Sequence, residues 1–259
     1  VSVEEDGFRF GDDLVPISQL EIVAANSPSI WVGRNQYRGS VRIYRQPDNE
    51  LIAINVLPME EYLASVINSE MPASFPAAAR QAQAIIARTY VLAHMKGHPT
   101  FDVFSTTRSQ KYLGYQYRDD DENRFAGESA DSREIARATA GIVCTWEGKV
   151  FTTYYTAVCG GRTVNGRSVF TDAAPPIRSV TCDWCREADR YRWSTATTLD
   201  EASQLLRSHL TASGKQFGTL QSISVDAVPE GDLPFYLVND ESGPHRIAGT
   251  ILRHIFPTG

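Results

Sequence analysis

The segment of residues 56–92 decides the fold, and it reads VLPMEEYLASVINSEMPASFPAAARQAQAIIARTYVL. Its apolar residues recur at helical spacing, which predicts two α-helices. Pro58 suits the first turn of the first helix, where a backbone N–H is not needed. Pro72 ends that helix, because the residue before a proline is disfavoured in the helical conformation. Pro76 begins the second helix, so the sequence predicts a helical pair joined by a short elbow.

Glu70 lies at this predicted elbow. A carboxyl group poorly solvated beside Met71, Phe75 and Tyr62 would have a raised pKa, because burial disfavours the charged form. A carboxyl that keeps its proton near neutral pH can donate it to a glycosidic oxygen. The competing interpretation is that Glu70 is an ordinary solvated acid at a helix end, and the residues alone leave both open.

The overall composition limits the class of protein. The chain has 259 residues, of which 42% are hydrophobic and 22% are charged, as is ordinary for a globular protein. A net charge of −6 and a pI near 5.4 argue against nucleic-acid binding and give no support for an anionic membrane surface. No apolar run approaches the roughly 20 residues of a membrane span. We therefore expect no nucleic-acid partner and no transmembrane segment.

Strand patterns flank the helical pair on both sides. Before it, strands are predicted at residues 8–10, 29–32, 40–44 and 51–56, with a turn at Asp48-Asn49 before the last. After it, the sequence predicts a helix over 131–140, a hairpin over 142–158, a helix opened by a capping box at 198–201, and strands at 220–228 and 235–238.

These elements predict an α+β fold, with mixed or antiparallel sheets around a central helical pair that carries Glu70. We expect one domain with three parts. Residues 1–56 form a β scaffold, residues 57–141 form the helical core and substrate loops, and residues 142–259 form a β-rich part with a cysteine cluster and one helix.

Residues 101–117 are rich in aromatic and hydroxyl side chains, which suits either a glycan groove or simple packing.

Several motifs follow one another in a specific order: Asn68-Ser69-Glu70-Met71-Pro72, Gln81-Ala82-Gln83-Ala84, Ala87-Arg88-Thr89-Tyr90, Ser109-Gln110-Lys111-Tyr112-Leu113-Gly114 and Gly160-Gly161-Arg162-Thr163. Together they resemble the stage II sporulation protein D (SpoIID) family. That family includes the peptidoglycan lytic transglycosylase of spore engulfment and the amidase-enhancer proteins. The matches run from about Tyr37 to the C-terminus, so the resemblance covers most of the chain.

The resemblance implies that Glu70 is the catalytic acid of an enzyme that cleaves peptidoglycan glycan strands to 1,6-anhydro products. It implies no cofactor for that reaction and an extracytoplasmic location, while a cell-wall amidase is a further expected partner. The side chains expected to orient the sugar are Gln83, Arg88, Tyr90, Ser109, Gln110 and Tyr112. Arg88 could instead pair with Glu70 and lower its pKa, which would count against the acid role.

No signal peptide precedes Val1; a chain that begins this way is expected to be processed or trimmed, so the missing signal says nothing about export.

The cysteines form a separate pattern. Cys182 and Cys185 make a CxxC motif, and Cys159 precedes it at a distance that a loop can span. Three thiolates suit a structural zinc ion with a histidine or water as the fourth ligand, whereas an oxidising compartment favours a disulfide. Both interpretations stay open. Cys144, among apolar neighbours, is expected to be a buried thiol.

Some members of the resembled family carry a zinc site of cysteine and histidine around the Gln-x-Tyr-x-Gly motif. Here Arg108-Ser109 stands at that place with no cysteine, so that site is not expected.

Two other functional classes remain open. The first is a non-catalytic module that binds wall glycan or enhances an amidase. The second is a cysteine-dependent enzyme with Cys159 as nucleophile, although no histidine stands in a recognisable Cys-His signature.

Overall fold

The computed structural model describes residues 2–4, 7–24, 27, 29–46, 50–95, 97–192, 194–226, 228 and 230–256. Contacts divide the chain into two compact units, residues 1–154 and 155–259. The described residues form five α-helices and several antiparallel sheets, which confirms the predicted α+β class. The prediction that the whole chain is one domain of three parts stays a prediction.

The described residues from Ser2 to Ala126 of the first unit form three small sheets. The early strands are β1 (Ser2–Glu4), β2 (Gly7–Phe10), β3 (Asp13–Val15), β4 (Gln19–Val23), β5 (Ile30–Val32), β6 (Asn35–Tyr37), β7 (Ser40–Arg45) and β8 (Leu51–Val56). The later strands are β9 (Gln116–Arg118) and β10 (Arg124–Ala126). The sheet orders are β1-β2-β3, β4-β7-β8 and β10-β9-β6-β5. The four predicted N-terminal strands are therefore confirmed, while the predicted turn at Asp48-Asn49 lies outside the described residues.

Three helices pack together beside these sheets. They are α1 (Met59–Glu70), α2 (Ala77–His94) and α3 (Ala130–Ala138). Pro58 and Pro76 stand one position before their helices, as N-cap residues, so the predicted helical pair is confirmed with its starts shifted by a residue. The third helix begins one residue before the predicted start, because Ser129 and Ser132 form a capping box.

The core of the first unit lies between these three helices. Leu63, Val66 and Ile67 of α1 are fully buried, and they pack against Ala84 and Ala87 of α2 and against Ile135 and Ala136 of α3. Small alanine side chains on α2 allow the helix backbones to approach closely. This packing holds the C-terminal end of α1, and with it Glu70, in a defined place.

The predicted hairpin after α3 is shorter than expected, with only β11 (Thr145–Trp146) paired to β12 (Lys149–Val150). The flanking residues bond to helices instead of to a partner strand. The Ile142 carbonyl accepts from Arg88 Nη1 at 3.0 Å, and the Cys144 N–H donates to Thr89 Oγ1 at 3.0 Å. The Cys144 residue is partly, not fully, buried.

The second unit has its own core. Its elements are α4 (Leu199–Ala212), β13 (Ser222–Val225), β14 (Phe235–Asp240), β15 (Gly243–Ala248) and α5 (Gly249–Ile255), with sheet order β13-β14-β15. Leu206, Val238 and Ile247 are buried together there. The two predicted strands are found at β13 and β14, while the prediction named neither β15 nor α5. Within the described part of the chain, none of the helices has the length and apolar composition of a transmembrane span.

The predicted capping box of α4 is confirmed, which gives a stability prediction. Thr198 Oγ1 accepts from the Glu201 N–H at 3.2 Å, and Glu201 Oε2 accepts from the Thr198 N–H at 3.1 Å. Thr198→Ala should lower the free energy of unfolding by about 1 kcal/mol, because an N-terminal donor of the helix loses its partner. Urea unfolding measures the change. Thr211→Ala, on the exposed end of the same helix, is the matched control and should not destabilise the protein.

Candidate active site

Glu70 is the last residue of α1, and its side chain is partly exposed. Met71 follows in extended conformation (φ −138°, ψ 126°), as the proline at position 72 requires. The backbone N–H of Lys111 donates to Glu70 Oε1 at 2.9 Å. No described residue hydrogen-bonds to the second carboxyl oxygen, Oε2. The carboxyl group is thus oriented through one oxygen, while the other is available to a ligand.

The enclosure predicted for Glu70 differs from the one observed. Tyr62 lies two turns earlier on α1, in the core, where its ring stacks on that of Tyr112. Phe75 is 48% exposed, so it does not seal the carboxyl group from water. Glu70 therefore stands at a partly open edge of the helical pair.

The segment that carries Lys111 runs along the side of α1. Gln110 Oε1 accepts from the Tyr62 hydroxyl at 3.1 Å, and the Leu113 N–H donates to Ser65 Oγ at 3.1 Å. Together with the bond between Lys111 and Glu70, these contacts attach residues 110–113 to successive turns of α1. The helix and the segment together position the carboxyl group.

Gly114 ends this segment at a position that only glycine suits. Its φ is +77°, and a Cβ there would lie 2.5 Å from the carbonyl oxygen of Gln36. The adjacent Leu113 carbonyl accepts from Asn35 Nδ2 at 3.0 Å. The segment is thereby attached to β6 as well as to α1.

Most of the predicted sugar-orienting side chains are buried. The exposed fractions are 1% for Gln110, 7% for Tyr112, 5% for Gln83 and 2% for Arg88. The Tyr112 ring stacks between those of Tyr37 and Tyr62, and burial raises the pKa of its hydroxyl well above the usual range. The side chains of Gln110, Tyr112 and Arg88 hydrogen-bond to other side chains of the protein.

The guanidinium group of Arg88 hydrogen-bonds to several residues, and Glu70 is not one of them. Its Nε donates to Glu60 Oε1 at 3.0 Å, and its Nη2 donates to Glu60 Oε2 at 2.5 Å. The same Nη2 reaches the Ala136 carbonyl at 3.1 Å and Thr139 Oγ1 at 3.2 Å. The alternative in which Arg88 pairs with Glu70 is therefore wrong.

The remaining predicted residues are more accessible. Tyr90 is partly exposed and its ring stacks on His94 with centroids 4.1 Å apart. Ser109 is also partly exposed, and its Oγ accepts from the Phe104 N–H at 3.2 Å. Gln83 Nε2 is buried without a hydrogen-bond partner among the described residues. A hydrogen bond links Glu70 to the backbone of Lys111, the neighbour of Gln110 and Tyr112, whereas no hydrogen bond links Glu70 to Gln83, Arg88 or Tyr90.

The aromatic stretch after α2 contributes to a cavity of about 370 Å³ in the first unit. Its lining includes Phe101, Phe104, Ser105 and Tyr112, together with Tyr62 from α1. Glu70 does not line it, since it lies eight residues beyond Tyr62 on the helix. The cavity and the carboxyl group are at opposite ends of α1, so any single ligand that used both would be extended.

The cysteine cluster lies in the second unit. The sulfur atoms of Cys159, Cys182 and Cys185 are all within 4.8 Å of one another, and those of Cys159 and Cys185 are 3.6 Å apart. A hydrogen bond from the Trp184 N–H lowers the pKa of the Cys182 thiol, whereas burial raises the pKa of Cys159. Cys144 belongs to the first unit and is not part of the cluster.

Two contributors to the site, the Lys111 amide and the Ser65 hydroxyl, were not predicted from the sequence. The backbone amide of Lys111 cannot be recognised from a side-chain pattern. The role of Ser65 could have been predicted, because this polar residue lies on the apolar part of the helix sequence between Leu63 and Val66. The structure shows that Ser65 is fully buried. A buried hydroxyl in such a position needs a partner, here the Leu113 amide.

Comparison with known proteins is consistent with these motifs. The family profile described as Stage II sporulation protein matches residues 47–146, which include Glu70 and every predicted sugar-orienting residue but not the cysteine cluster. An uncharacterized protein of Brachyspira hyodysenteriae is 32% identical over 177 residues, covering 67% of this chain and 45% of that protein.

Two further relatives carry the name stage II sporulation protein D. The protein of Bacillus amyloliquefaciens is 27% identical and that of Bacillus subtilis 26% identical, each over 178 residues, which cover 64% of this chain and 50% of the relative. The chain thus spans about half the length of the curated relatives it matches. Residues 47–146 of the chain belong to the stage II sporulation protein D family.

Proposed function

We propose that the protein is a lytic transglycosylase that cleaves the glycan strands of peptidoglycan, with Glu70 as its general acid and base. One observation carries this proposal. Glu70 has one oxygen held by the Lys111 amide, while Oε2 has no hydrogen bond to a described residue at a partly exposed helix end. A carboxyl group oriented in this way is suited to exchange a proton with a bound sugar.

In the proposed reaction, Glu70 gives its proton to the oxygen that links N-acetylmuramic acid to N-acetylglucosamine, and the bond from that oxygen to the muramic C1 breaks. The 6-hydroxyl of the same muramic acid then attacks C1, and its proton passes to the Glu70 carboxylate. The product is a 1,6-anhydro ring, and the acid is restored. Because the nucleophile belongs to the substrate, the second carboxylate of ordinary glycosidases is not needed.

The predicted sugar-orienting residues fall into an accessible group and a buried group. Tyr90 and Ser109 are accessible enough to contact a sugar directly. Gln83, Arg88, Gln110 and Tyr112 are buried, which favours a role in positioning the helices and the segment that holds Glu70. We further propose that the protein acts outside the cytoplasm, at the cell wall, with a cell-wall amidase as a partner enzyme.

Mass spectrometry of purified glycan strands tests the proposal. Incubation with the protein should produce strands that end in 1,6-anhydro-N-acetylmuramic acid. If the strands stay intact but are pulled down by the protein, the non-catalytic alternative of a glycan-binding module is supported instead. Ends produced by hydrolysis, without the anhydro ring, would contradict the transglycosylase chemistry.

Alkylation of the thiols tests the alternative of a cysteine-dependent enzyme. Full activity after thiol alkylation would exclude Cys159 as the nucleophile.

A further inference from the structure

The cysteine cluster stands in a part of the chain with little apolar burial. In the described residues between 155 and 192, Ala173 is the only buried hydrophobic side chain, at 5% exposure. The core of the second unit is formed by residues from Ala202 onward. A segment of this length without its own apolar core needs another source of stability, such as a metal ion or a disulfide.

Hydrogen bonds already bring the two cysteine-bearing loops together. The Cys182 N–H donates to the Gly161 carbonyl at 2.9 Å, and the Thr163 N–H donates to the Val180 carbonyl at 2.9 Å. Arg162 and Thr181 form an isolated antiparallel bridge between them. The loop after Cys159 and the CxxC motif are therefore held face to face by their backbones, with the three sulfur atoms converging.

Backbone N–H groups lie close to two of the sulfur atoms, and the chain turns directly after Cys159. The Sγ of Cys182 accepts hydrogen bonds from the backbone N–H groups of Trp184 and Cys185, and the Sγ of Cys159 accepts one from the Gly161 N–H. Gly160 and Gly161 have φ values of +67° and +106°, which turn the chain directly after Cys159.

We propose that Cys159, Cys182 and Cys185 bind a zinc ion through three thiolates. Three converging sulfurs match a zinc site, and the CxxC spacing is typical of one. A disulfide would use two of the sulfurs and leave the third beside it, and the 3.6 Å between Cys159 and Cys185 exceeds the roughly 2.05 Å of a sulfur–sulfur bond. Among the described histidine, cysteine, aspartate and glutamate side chains, this group contains the three cysteines alone, so a water molecule would be the fourth ligand.

This zinc ion would hold the two loops together and is independent of the chemistry proposed for Glu70. Metal content is the direct test, measured by inductively coupled plasma mass spectrometry on the full chain, purified under reducing conditions without a metal-binding tag. We expect about one zinc ion per chain. Cys182→Ser and Cys185→Ser should lose the metal, whereas Cys144→Ser, the matched control, and Glu70→Gln should keep it.

A second measurement uses the wild-type protein, so that misfolding of a variant cannot obscure the result. Cobalt substituted for zinc should give a thiolate-to-cobalt charge-transfer band, and removal of zinc by a chelator should lower the melting temperature by several degrees. The proposal is overturned if the reduced chain binds neither metal. It is also overturned if peptide mapping of the native, metal-free chain shows Cys159 joined by a disulfide to Cys182 or Cys185.

Discussion

Replacing Glu70 with glutamine is expected to reduce the release of 1,6-anhydro ends by a factor of about 10² to 10⁴, the usual contribution of a general acid. Glutamine has nearly the same shape as glutamate but cannot donate and recover the proton in the same way. Its side-chain oxygen can still accept from the Lys111 amide, which keeps the local structure intact. The rate is measured by mass spectrometry of purified glycan strands over time.

Glu134→Gln is the matched control for this change. Glu134 is an exposed acid on α3, so its replacement alters the net charge equally without reaching the site. We expect the activity of this variant to equal that of wild type and glycan pull-down to be retained by both variants. If Glu70→Gln cleaves as fast as wild type, Glu70 is not the acid. If it loses binding and cleavage equally, Glu70 serves recognition and not catalysis.

The largest effect on stability is expected from Arg88→Ala. Arg88 has only 3% of its side chain exposed and forms an ion pair with Glu60, of which 29% is exposed. Its guanidinium also bonds to Ala136 and Thr139 near the end of α3 and to Ile142 after it. Truncation leaves these acceptors and the Glu60 carboxylate without their donor. The free energy of unfolding should therefore fall by about 3 to 5 kcal/mol, as measured by urea denaturation.

The control for this variant is Arg137→Ala, which removes an exposed arginine from α3 and should change stability by no more than about 0.5 kcal/mol. Activity assays separate the two roles considered for Arg88. A positioning role predicts that activity falls in step with the folded fraction. If Arg88→Ala stays as stable as wild type but its KM for glycan rises, Arg88 contacts the substrate, contrary to its observed burial.

The helical pair could be predicted from sequence because its signals are local. Pro58, Pro72 and Pro76 mark the helix boundaries, and the apolar periodicity between them is strong. The capping box at Thr198 is equally local, and it was predicted at the correct position. Such features depend on residues a few positions apart, which a sequence displays directly.

The partners of the site residues could not be predicted in this way. Arg88 and Glu60 are 28 residues apart, and the sequence suggested Glu70, not Glu60, as the possible partner of Arg88. The bond from Lys111 to Glu70 joins residues 41 positions apart and uses a backbone donor that every non-proline residue has. The hairpin after α3 was predicted too long for the same reason, because distant contacts with α2 replaced local pairing.

The attachment of Lys111 through its main chain makes its side chain a convenient place for a reporter. That side chain is exposed, and the bond to Glu70 requires only the amide. A bioorthogonal dye introduced at position 111 would sit beside the carboxyl group without removing any side-chain interaction that supports it. Its fluorescence could then follow occupancy by glycan in real time, whereas a proline at the same position would disconnect the segment.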